Sequence, residues 1–441
     1  MTAPAYRAPT LFSKPLAAVD AGDVDELVRQ QLPESDTLEL KERLPTKKGD
    51  VDVWESARKI ADRARNELFD EVIAFANAYG GHVVLGIRES DDHPRRAVAI
   101  APISACTDLA ARLRDQARDV IEPELPFVEI AGVPLSADGS GVVVIRVPAS
   151  RLAPHRLTVT HQSHRRRADR CEVMTMREIQ ELTLQRAAGM ASLESLFAAR
   201  RADFEAHVRS SARANSEPAP MGVRATLVPS GPLQIDRGYL GSFVPYVAEF
   251  ILGDGENRME RIMLPHNNFS QRPVVRGTRF HAEYDRRMTV TIDVQESGFV
   301  EYRLIEPASD DPALTYLMPE WVLTIAANAL ATAHALRLAA GVPATEYILE
   351  FEAFRDLGQP LLIGGFRANQ WNASRGTIEQ NPTVFPRYSF GPFEDLANIM
   401  GLVASDLFNA AGWRCEPNLY RLIGPPPTLE RVRLGVLIAR G

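Results

Sequence analysis

Three glutamates near the start of the chain have the residue type and spacing to do chemistry together. Glu34 and Glu39 flank the beginning of one alternating stretch, and Glu89 closes a later apolar run. If the two stretches are adjacent strands, Glu39 and Glu89 come close to each other. Carboxylates that converge on one point repel, and a divalent cation that activates water can neutralise them. Solvated acids at strand ends are the alternative interpretation.

A basic segment farther along the chain suits the binding of phosphate. Nine arginines and four acids lie between 141 and 190, in a chain of net charge −7. The planar guanidinium of arginine donates two hydrogen bonds at once to a phosphate. A solvated loop with scattered charge is the alternative. The side chains expected to contact a nucleic-acid backbone are Lys41, Arg88, Arg151, His155, Arg156, Arg165, Arg166 and Arg167.

Two glycines mark the junction between the predicted helix and strand that position these residues. Gly80 and Gly81 permit a tight turn, in which glycine takes the positive φ of a helix C-cap, and Asn77 can bond the helix end. This is turn chemistry rather than phosphate binding. The chain has no GxxxxGK[ST] sequence, so an ATP site is not expected.

Hydrophobic periodicity predicts the elements of the first part of the chain. Its order is a helix capped by Asp23, a strand, a long helix, further strands around a second long helix, a basic segment and a final helix. This order predicts an α+β domain over 23–190, preceded by a flexible arm at 1–22. The predicted helices are 21–32, 54–79, 105–121 and 174–186, and the predicted strands are 37–44, 82–87, 127–133 and 141–147.

The second half of the chain predicts a separate α+β domain. A connecting helix and a linker occupy 191–221, and repeated strand patterns fill 222–305. Helices are predicted at 319–340 and 393–412, with strands at 347–354 and 360–366 between them. No functional motif marks 222–441, so a sensor or oligomerisation domain is the expectation.

Composition limits the class of protein. With 441 residues the chain is too long for one hydrophobic core, and 45% hydrophobic and 24% charged residues are typical of a soluble globular protein. Cys106, Cys171 and Cys415 form no CxxC pair, so a zinc site or disulfide framework is not expected. We find no apolar run of 18 residues and no signal-peptide core, and we therefore expect a cytoplasmic protein without a membrane segment.

Residues from about 30 to 186 resemble the Schlafen-type AlbA-like domain. The E-x4-E-x-K opening of that family is met by Glu34, Glu39 and Lys41. The A-F-A-N-x-x-G-G helix end is met by 74–81, the G-[IV]-x-[DE] strand end by 86–89, and the V-P-x-S…P-H segment by 147–155. An arginine before a helix rich in Thr and Glu completes the series, and the five motifs occur in the family's order.

The resemblance implies a metal-dependent endoribonuclease that acts on structured RNA, with tRNA as the first candidate. Glu34, Glu39 and Glu89 would be the catalytic acids and would hold Mg²⁺ or Mn²⁺. The third acid is often Asp in the family, so Asp91 is an alternative to Glu89. A homodimer could complete the groove, because the chain carries one copy of a domain that animal relatives have twice. The pairing with a variable C-terminal domain also implies antiphage defence.

A non-catalytic DNA- or RNA-binding regulator with the same fold is the alternative function. The two hypotheses differ in what they require of the acids. The nuclease needs Glu34, Glu39 and Glu89 to converge with none of them closed off by an internal salt bridge. A binding domain needs only the arginine-lined surface, and its binding would be sensitive to salt.

Overall fold

The computed structural model divides the chain into two units. The first unit is Met1–Ser192 with Gly341–Glu346, and the second is Leu193–Ala340 with Tyr347–Gly441. Both mix helices with sheets, which confirms the predicted fold class. The structure describes residues 10–13, 16–46, 52–125, 127–211, 219–231, 233–244, 249–253, 258–262, 269–284, 288–306, 317, 319–340, 342, 345–363, 376–391, 396–412, 420–422 and 433–437.

The first unit alternates helices and strands, with a short 3-10 helix at Leu16–Ala18. Its elements are α1 (Thr10–Ser13), α2 (Ala21–Arg29), β1 (Leu38–Lys41), α3 (Val53–Ala57), α4 (Asp62–Ala76), β2 (Gly80–Leu85), β3 (Ile87–Glu89), β4 (Ala97–Ile100), α5 (Cys106–Val120), β5 (Ile121–Glu122), β6 (Glu129–Pro134), β7 (Gly141–Pro148), β8 (Arg156–Leu157), β9 (His164–Arg167), β10 (Arg170–Val173) and α6 (Met176–Ser210), the last of which continues into the second unit.

A four-stranded sheet in the order β1-β2-β7-β6 organises the first unit. β1 and β2 are parallel, with Glu39 opposite Val83, so the two strands expected to be adjacent are neighbours. Side chains alternate between the faces of a strand. Val83 therefore packs with α4 and α5, while Val84 packs with α2 on the other side. The sheet is buried on both faces. Glu39 lies on its first strand, β1, and Glu89 lies on β3, which follows β2 in the chain.

Two helix boundaries in the first unit differ from the prediction because a single residue ends or caps each helix. The predicted helix 54–79 is two helices, since Arg58 takes the left-handed conformation (φ 54°) after α3. The Trp54 indole anchors α3 by donating to the Ser104 carbonyl at 2.8 Å. Asp20, rather than Asp23, is the N-cap of α2. Its side chain accepts from the Asp23 amide, and the Asp23 side chain accepts from the Asp20 amide, which forms a capping box.

The glycine pair lies in a strand start and does not cap a helix. α4 ends at Ala76 with Asn77 as its C-cap, and β2 begins at Gly80. Gly80 does take a positive φ of 76°, as expected for glycine in a tight turn. A Cβ there would lie 2.7 Å from the Ala149 amide nitrogen, so the neighbouring backbone also requires glycine.

The basic segment forms a β-hairpin, which we call the arginine hairpin and define as His164–Val173. β9 and β10 pair with Arg167 opposite Arg170, around a turn in which Ala168 has φ 53°. The period-2 alternation of a strand places His164 and Arg166 in the interior and Arg165 and Arg167 toward solvent. The neighbouring residues Arg166 and Arg167 therefore differ in environment, since Arg166 is buried and Arg167 is exposed.

The second unit is built around a large sheet, with a short 3-10 helix at Asp356–Gly358. Its elements are β11 (Met221–Pro229), α7 (Arg237–Ser242), β12 (Glu249–Gly253), β13 (Arg258–Ile262), β14 (Ser270–Val274), β15 (Gly277–Tyr284), β16 (Met288–Gln295), β17 (Val300–Glu306), α8 (Pro319–Ala339), β18 (Tyr347–Arg355), β19 (Leu361–Ile363), β20 (Gly376–Ile378), β21 (Thr383–Val384), β22 (Tyr388–Phe390), α9 (Leu396–Ala410), β23 (Tyr420–Leu422) and β24 (Arg433–Leu437).

The eight-stranded sheet runs in the order β14-β15-β16-β17-β11-β18-β21, with β22 also on β18. Its apolar face packs in one core with α8 and α9. The other face buries charge, because Arg224 is fully buried and lies 2.9 Å from both Glu350 and Glu352. Arg200 on α6 donates to Glu301 of β17. Such a network is stable only when every charge has a partner, which favours one helix-to-sheet register.

Two further expectations concern α6 and α8. The predicted helix 174–186 and the predicted connecting helix that follows it are one helix, α6, with Gly189 in its interior. The predicted linker falls partly on 212–218, which lies outside the described residues, and β11 begins at Met221. The expectation that no apolar run reaches 18 residues was wrong, because the window Val322–Ala339 of α8 is apolar and long enough to cross a membrane. In the structure, 89% of this window is buried inside the protein, as in a core helix.

Candidate functional site

The fold brings the three predicted acids close together beside the first unit's sheet. Glu39 lies on β1, and Glu89 ends β3, which follows β2 after a turn at Gly86 (φ 95°). Glu34 precedes β1, and its amide donates to the Arg95 carbonyl at 2.8 Å. The segment before β1 is therefore fastened to the segment after β3. Residues that are far apart in sequence reach one place because β1 and β2 are parallel neighbours.

Glu34 is the most perturbed of these acids. It is buried, and its Oε1 accepts from the Leu40 amide at 3.1 Å. Burial, the charge of Glu39, and both the charge and a side-chain hydrogen bond of Glu89 raise the pKa of Glu34 to about 8. At neutral pH the buried carboxyl therefore keeps its proton. Glu89, whose Oε1 accepts from Arg95 at 2.6 Å, is thus the third acid in contact with Glu34, and Asp91 is exposed.

Glu39 is held by two cations of the protein itself. Its Oε2 accepts from Arg166 at 2.6 Å, and its Oε1 accepts from Lys41. Arg166 also donates to Glu71 at 2.8 Å, and it is almost completely buried. Burial lowers the pKa of Lys41, but the charges of Glu39 and Glu71 outweigh this effect and raise it. The three acids converge as expected, yet Glu39 is closed off by internal salt bridges.

The acids fit a divalent cation only in part. Within the described ranges, no set of three His, Cys, Asp or Glu side chains is arranged to hold a metal ion. Glu34 and Glu89 have oxygen ligands that suit Mg²⁺ or Mn²⁺, and Oε2 of Glu89 is buried without a hydrogen-bond partner among the residues described. Mg²⁺ commonly uses one or two carboxylates and completes its shell with water and phosphate. Glu34 and Glu89 would supply ligands to such an ion only if Glu34 released its proton and Glu89 used the oxygen outside its ion pair with Arg95, and Glu39 does not fit in this conformation.

The predicted basic residues fall into two groups. Arg88 and Arg165 have no hydrogen-bond or ion-pair partner in the described part of the chain, and Arg88 is exposed. The others are engaged within the protein. Arg156 is paired with Glu122 at 2.5 Å, Arg167 is paired with Glu178 and Glu172, and Lys41 and Arg166 hold Glu39.

One residue of the predicted binding set, His155, is a scaffold residue. His155 is fully buried, and its ring nitrogens lie 2.6 Å from the Pro123 carbonyl and 2.7 Å from the Ser150 hydroxyl. Burial is the main reason that its pKa is lowered, so the ring is neutral. Burial also lowers the pKa of Arg151. His155 cannot reach a phosphate from this position, and it instead holds the loop that precedes β8.

A pocket of about 730 Å³ lies beside the acids, and the arginine hairpin forms one wall. Glu34, Asp36, Arg165, Arg167 and Asp169 contribute ionisable groups to its lining, and of these the Glu34 carboxyl is neutral at pH 7. This volume is in the range of small-ligand sites, and it could hold a single nucleotide unit. The free guanidinium of Arg165 is thereby placed in the same cavity as a buried carboxyl.

Several residues of the site were not predicted from the sequence, and the sequence signals for them are of unequal strength. Arg170 is exposed at the hairpin turn without an ion-pair partner among the described residues, and its position within HRRRADR was a usable signal. Tyr79 lines the pocket directly before the glycine pair. Glu71 and Arg95 lie on a predicted helix and in a loop, where no spacing pointed to the site.

Comparisons with known proteins agree with the resemblance in the first unit. The family model described as Schlafen, AlbA_2 matches residues 34–175, which confirms the resemblance there and associates this region with nucleic-acid-related function. No curated protein matches the chain.

Two solved structures are similar over part of the chain. One is the solution structure of the N-terminal domain of a RecG-related protein from Nitrosomonas europaea, 20% identical, covering 37% of this chain and 89% of that chain with a TM-score of 0.23. The other is the DIP2311 protein from Corynebacterium diphtheriae, 14% identical, covering 55% of this chain and 43% of that chain with a TM-score of 0.25.

Proposed function

We propose that the first unit binds RNA at the pocket beside the arginine hairpin. The observation that carries this proposal is Arg165, which lines the pocket and has no ion-pair partner among the described residues. Arg88 and Arg170 add exposed guanidinium groups from β3 and the hairpin turn. Uncompensated arginines near a concave surface attract phosphate by charge and by bidentate hydrogen bonds.

Binding of labelled RNA by the full chain tests the proposal. We expect Arg165→Ala to weaken binding about 5- to 20-fold at low salt, because each lost charge-assisted contact is worth roughly 1–2 kcal/mol. Arg63→Ala is the matched control, since Arg63 is also a half-exposed arginine but is paired with Glu67 on α4. Fluorescence anisotropy against total tRNA measures both. Equal weakening by the two variants, or no binding by the wild type, contradicts the proposal.

Metal-dependent cleavage of the bound RNA is the second candidate. The contact between Glu34 and Glu89, with the buried and unpartnered Oε2 of Glu89, favours it. These two residues would hold Mg²⁺ or Mn²⁺, which would supply an activated water and neutralise charge on the phosphate. The ion pairs of Glu39 with Arg166 and Lys41 weigh against it, because the third acid would have to exchange protein cations for the metal. The requirement that none of the acids be closed off by an internal salt bridge is not met, so cleavage needs these ion pairs to open, and we rank it below binding.

A cleavage assay separates the two candidates. If cleavage occurs, wild-type protein with Mn²⁺ should shorten tRNA, and Glu34→Gln should lower the rate at least about 100-fold because one ligand or proton carrier is lost. Glu67→Gln, on the exposed side of α4, is the control. RNA left intact by the wild type while it still binds rules out cleavage and leaves the binding proposal standing.

The wider setting follows from the family resemblance. Structured RNA such as tRNA is the first substrate class to test, with DNA as the comparison. A homodimer that completes the groove, a cytoplasmic location and a role in antiphage defence belong to the same proposal. The second unit would then sense a trigger or mediate assembly.

A further inference from the structure

Tyr79 is an exposed aromatic side chain in a polar pocket. It is 71% exposed and lines the pocket together with Pro94 and the hairpin arginines. Within the described part of the chain, neither its ring nor its hydroxyl has a partner. An isolated exposed aromatic is ordinary, but one that forms the wall of a charged cavity offers a flat surface to a ligand.

The charges of the pocket suit a nucleobase better than a phosphate. The charges of Arg166 and Arg167 are compensated by acids outside the pocket, namely Glu39, Glu71, Glu172 and Glu178. Because Glu34 keeps its proton, the remaining charged groups of the lining are Arg165, Asp36 and Asp169. Two carboxylates would repel a phosphate inside the cavity, whereas they can accept hydrogen bonds from the edge of a neutral base. The phosphates of the same strand can lie outside, along Arg165, Arg170 and Arg88.

The turn that presents Tyr79 is rigid, and it is tied to the strand that carries Arg165. Asn77 is buried, accepts from the His155 amide at 2.7 Å and donates to the His164 carbonyl at 2.9 Å. His164 immediately precedes Arg165 on β9. On the other side of Tyr79, Gly80 contacts the backbone of 147–149 too closely for any Cβ. A platform held in this way loses little conformational entropy when a ligand binds.

We propose that Tyr79 stacks on an unpaired base that enters this pocket, while Arg165 contacts the adjoining phosphate. The ligand class is therefore single-stranded RNA or the unpaired loop of a structured RNA, rather than the backbone of a continuous duplex. This inference rests on the proposed RNA binding at the same site. It adds that the site recognises nucleotides whose bases are free to leave the helical stack.

Binding of one labelled RNA as a single strand and as a blunt duplex tests the inference. Stacking on one aromatic side chain is worth roughly 1–3 kcal/mol, so Tyr79→Ala should weaken single-strand binding about 5- to 100-fold. Tyr79→Phe keeps the ring and should bind within about twofold of the wild type, and duplex binding should change less than about twofold in both variants. A single-stranded DNA of the same sequence shows whether the ribose contributes.

A base analogue reports the stacking directly. The fluorescence of 2-aminopurine in the RNA should be quenched on binding to wild type and Tyr79→Phe, and the quenching should be lost with Tyr79→Ala. If Arg165→Ala weakens binding but Tyr79→Ala does not, base stacking is wrong and the proposed function survives. If the wild type binds no RNA, the proposed function itself fails.

Discussion

Glu34 and Glu39 lie five positions apart, yet their partners differ in charge. Glu34 contacts another carboxyl, Glu89, and Glu39 contacts two cations. The strand pattern indicated that β1 and β2 could be neighbours, but the approach of Glu89 to Glu34 depends on the turn at Gly86 and on the hydrogen bond from the Glu34 amide to the Arg95 carbonyl, which no spacing indicated. The ion pair between Glu39 and Arg166 could not be predicted from the sequence. Arg166 lies 127 positions after Glu39, and its side chain points inward only because of its position in β9.

The raised pKa of Glu34 predicts a pH-dependent stability. The folded chain keeps a proton up to about pH 8 that the unfolded chain releases near its ordinary pKa of 4.5, so stability falls as the pH rises between these values. Glu34→Gln replaces the ionisable carboxyl with a neutral amide and keeps a side-chain oxygen that can accept from the Leu40 amide. The variant should match the wild type near pH 4 and exceed it at pH 8.5 by on the order of 3 kcal/mol.

Hydrogen exchange of the β1 and β2 amides measures this difference, with EDTA present and rates corrected for intrinsic pH dependence. Glu67→Gln serves as the control because Glu67 is a half-exposed residue of the same unit. Wild type and Glu34→Gln that remain equally stable at pH 8.5 would show that Glu34 ionises without cost in the folded protein.

Close contacts between elements determine where the site residues lie. The strands of the first sheet, α5 and α8 follow from periodicity, but three features do not. Arg58 ends α3 by taking a left-handed conformation, and α6 continues through a predicted helix boundary. In the arginine hairpin, the alternation of buried and exposed side chains cannot be read from the sequence because neighbouring residues have the same charge. Each depends on tertiary contacts that override local propensity.

Two glycine substitutions test this packing, because one should lower and the other should raise local stability. A Cβ on Gly81 would lie 2.4 Å from the Phe75 ring and 2.8 Å from the Thr37 carbonyl, so Gly81→Ala should lower the stability of the first unit by about 1–3 kcal/mol. Gly189 in α6 has nothing within 4 Å, so Gly189→Ala should raise local helix stability by up to about 1 kcal/mol. Amide protection in β2 and α6 measures each effect, and a change of the same sign in both would contradict this packing account.

The whole molecule is acidic, but the arginine hairpin carries four arginines against two acids. The net charge of −7 excludes general polyanion binding, so the proposed RNA binding has to rely on a local set of free arginines in the first unit. The sequence predicted two domains and the region of the site, because family motifs and charge are local. It revealed nothing of the second unit's role, where Arg224, Glu350 and Glu352 are buried as mutual partners and form no recognisable motif.

The salt dependence of RNA binding by the full chain tests the central claim most directly. Each phosphate contact contributes about 0.7–0.9 to the slope of log affinity against log salt. We expect the slope of the Arg88→Ala/Arg165→Ala variant to be smaller in magnitude than that of the wild type by roughly 1.5. The slope of Arg63→Ala should equal that of the wild type. An unchanged slope in the double variant, with RNA still bound, would place the binding surface elsewhere and contradict the account.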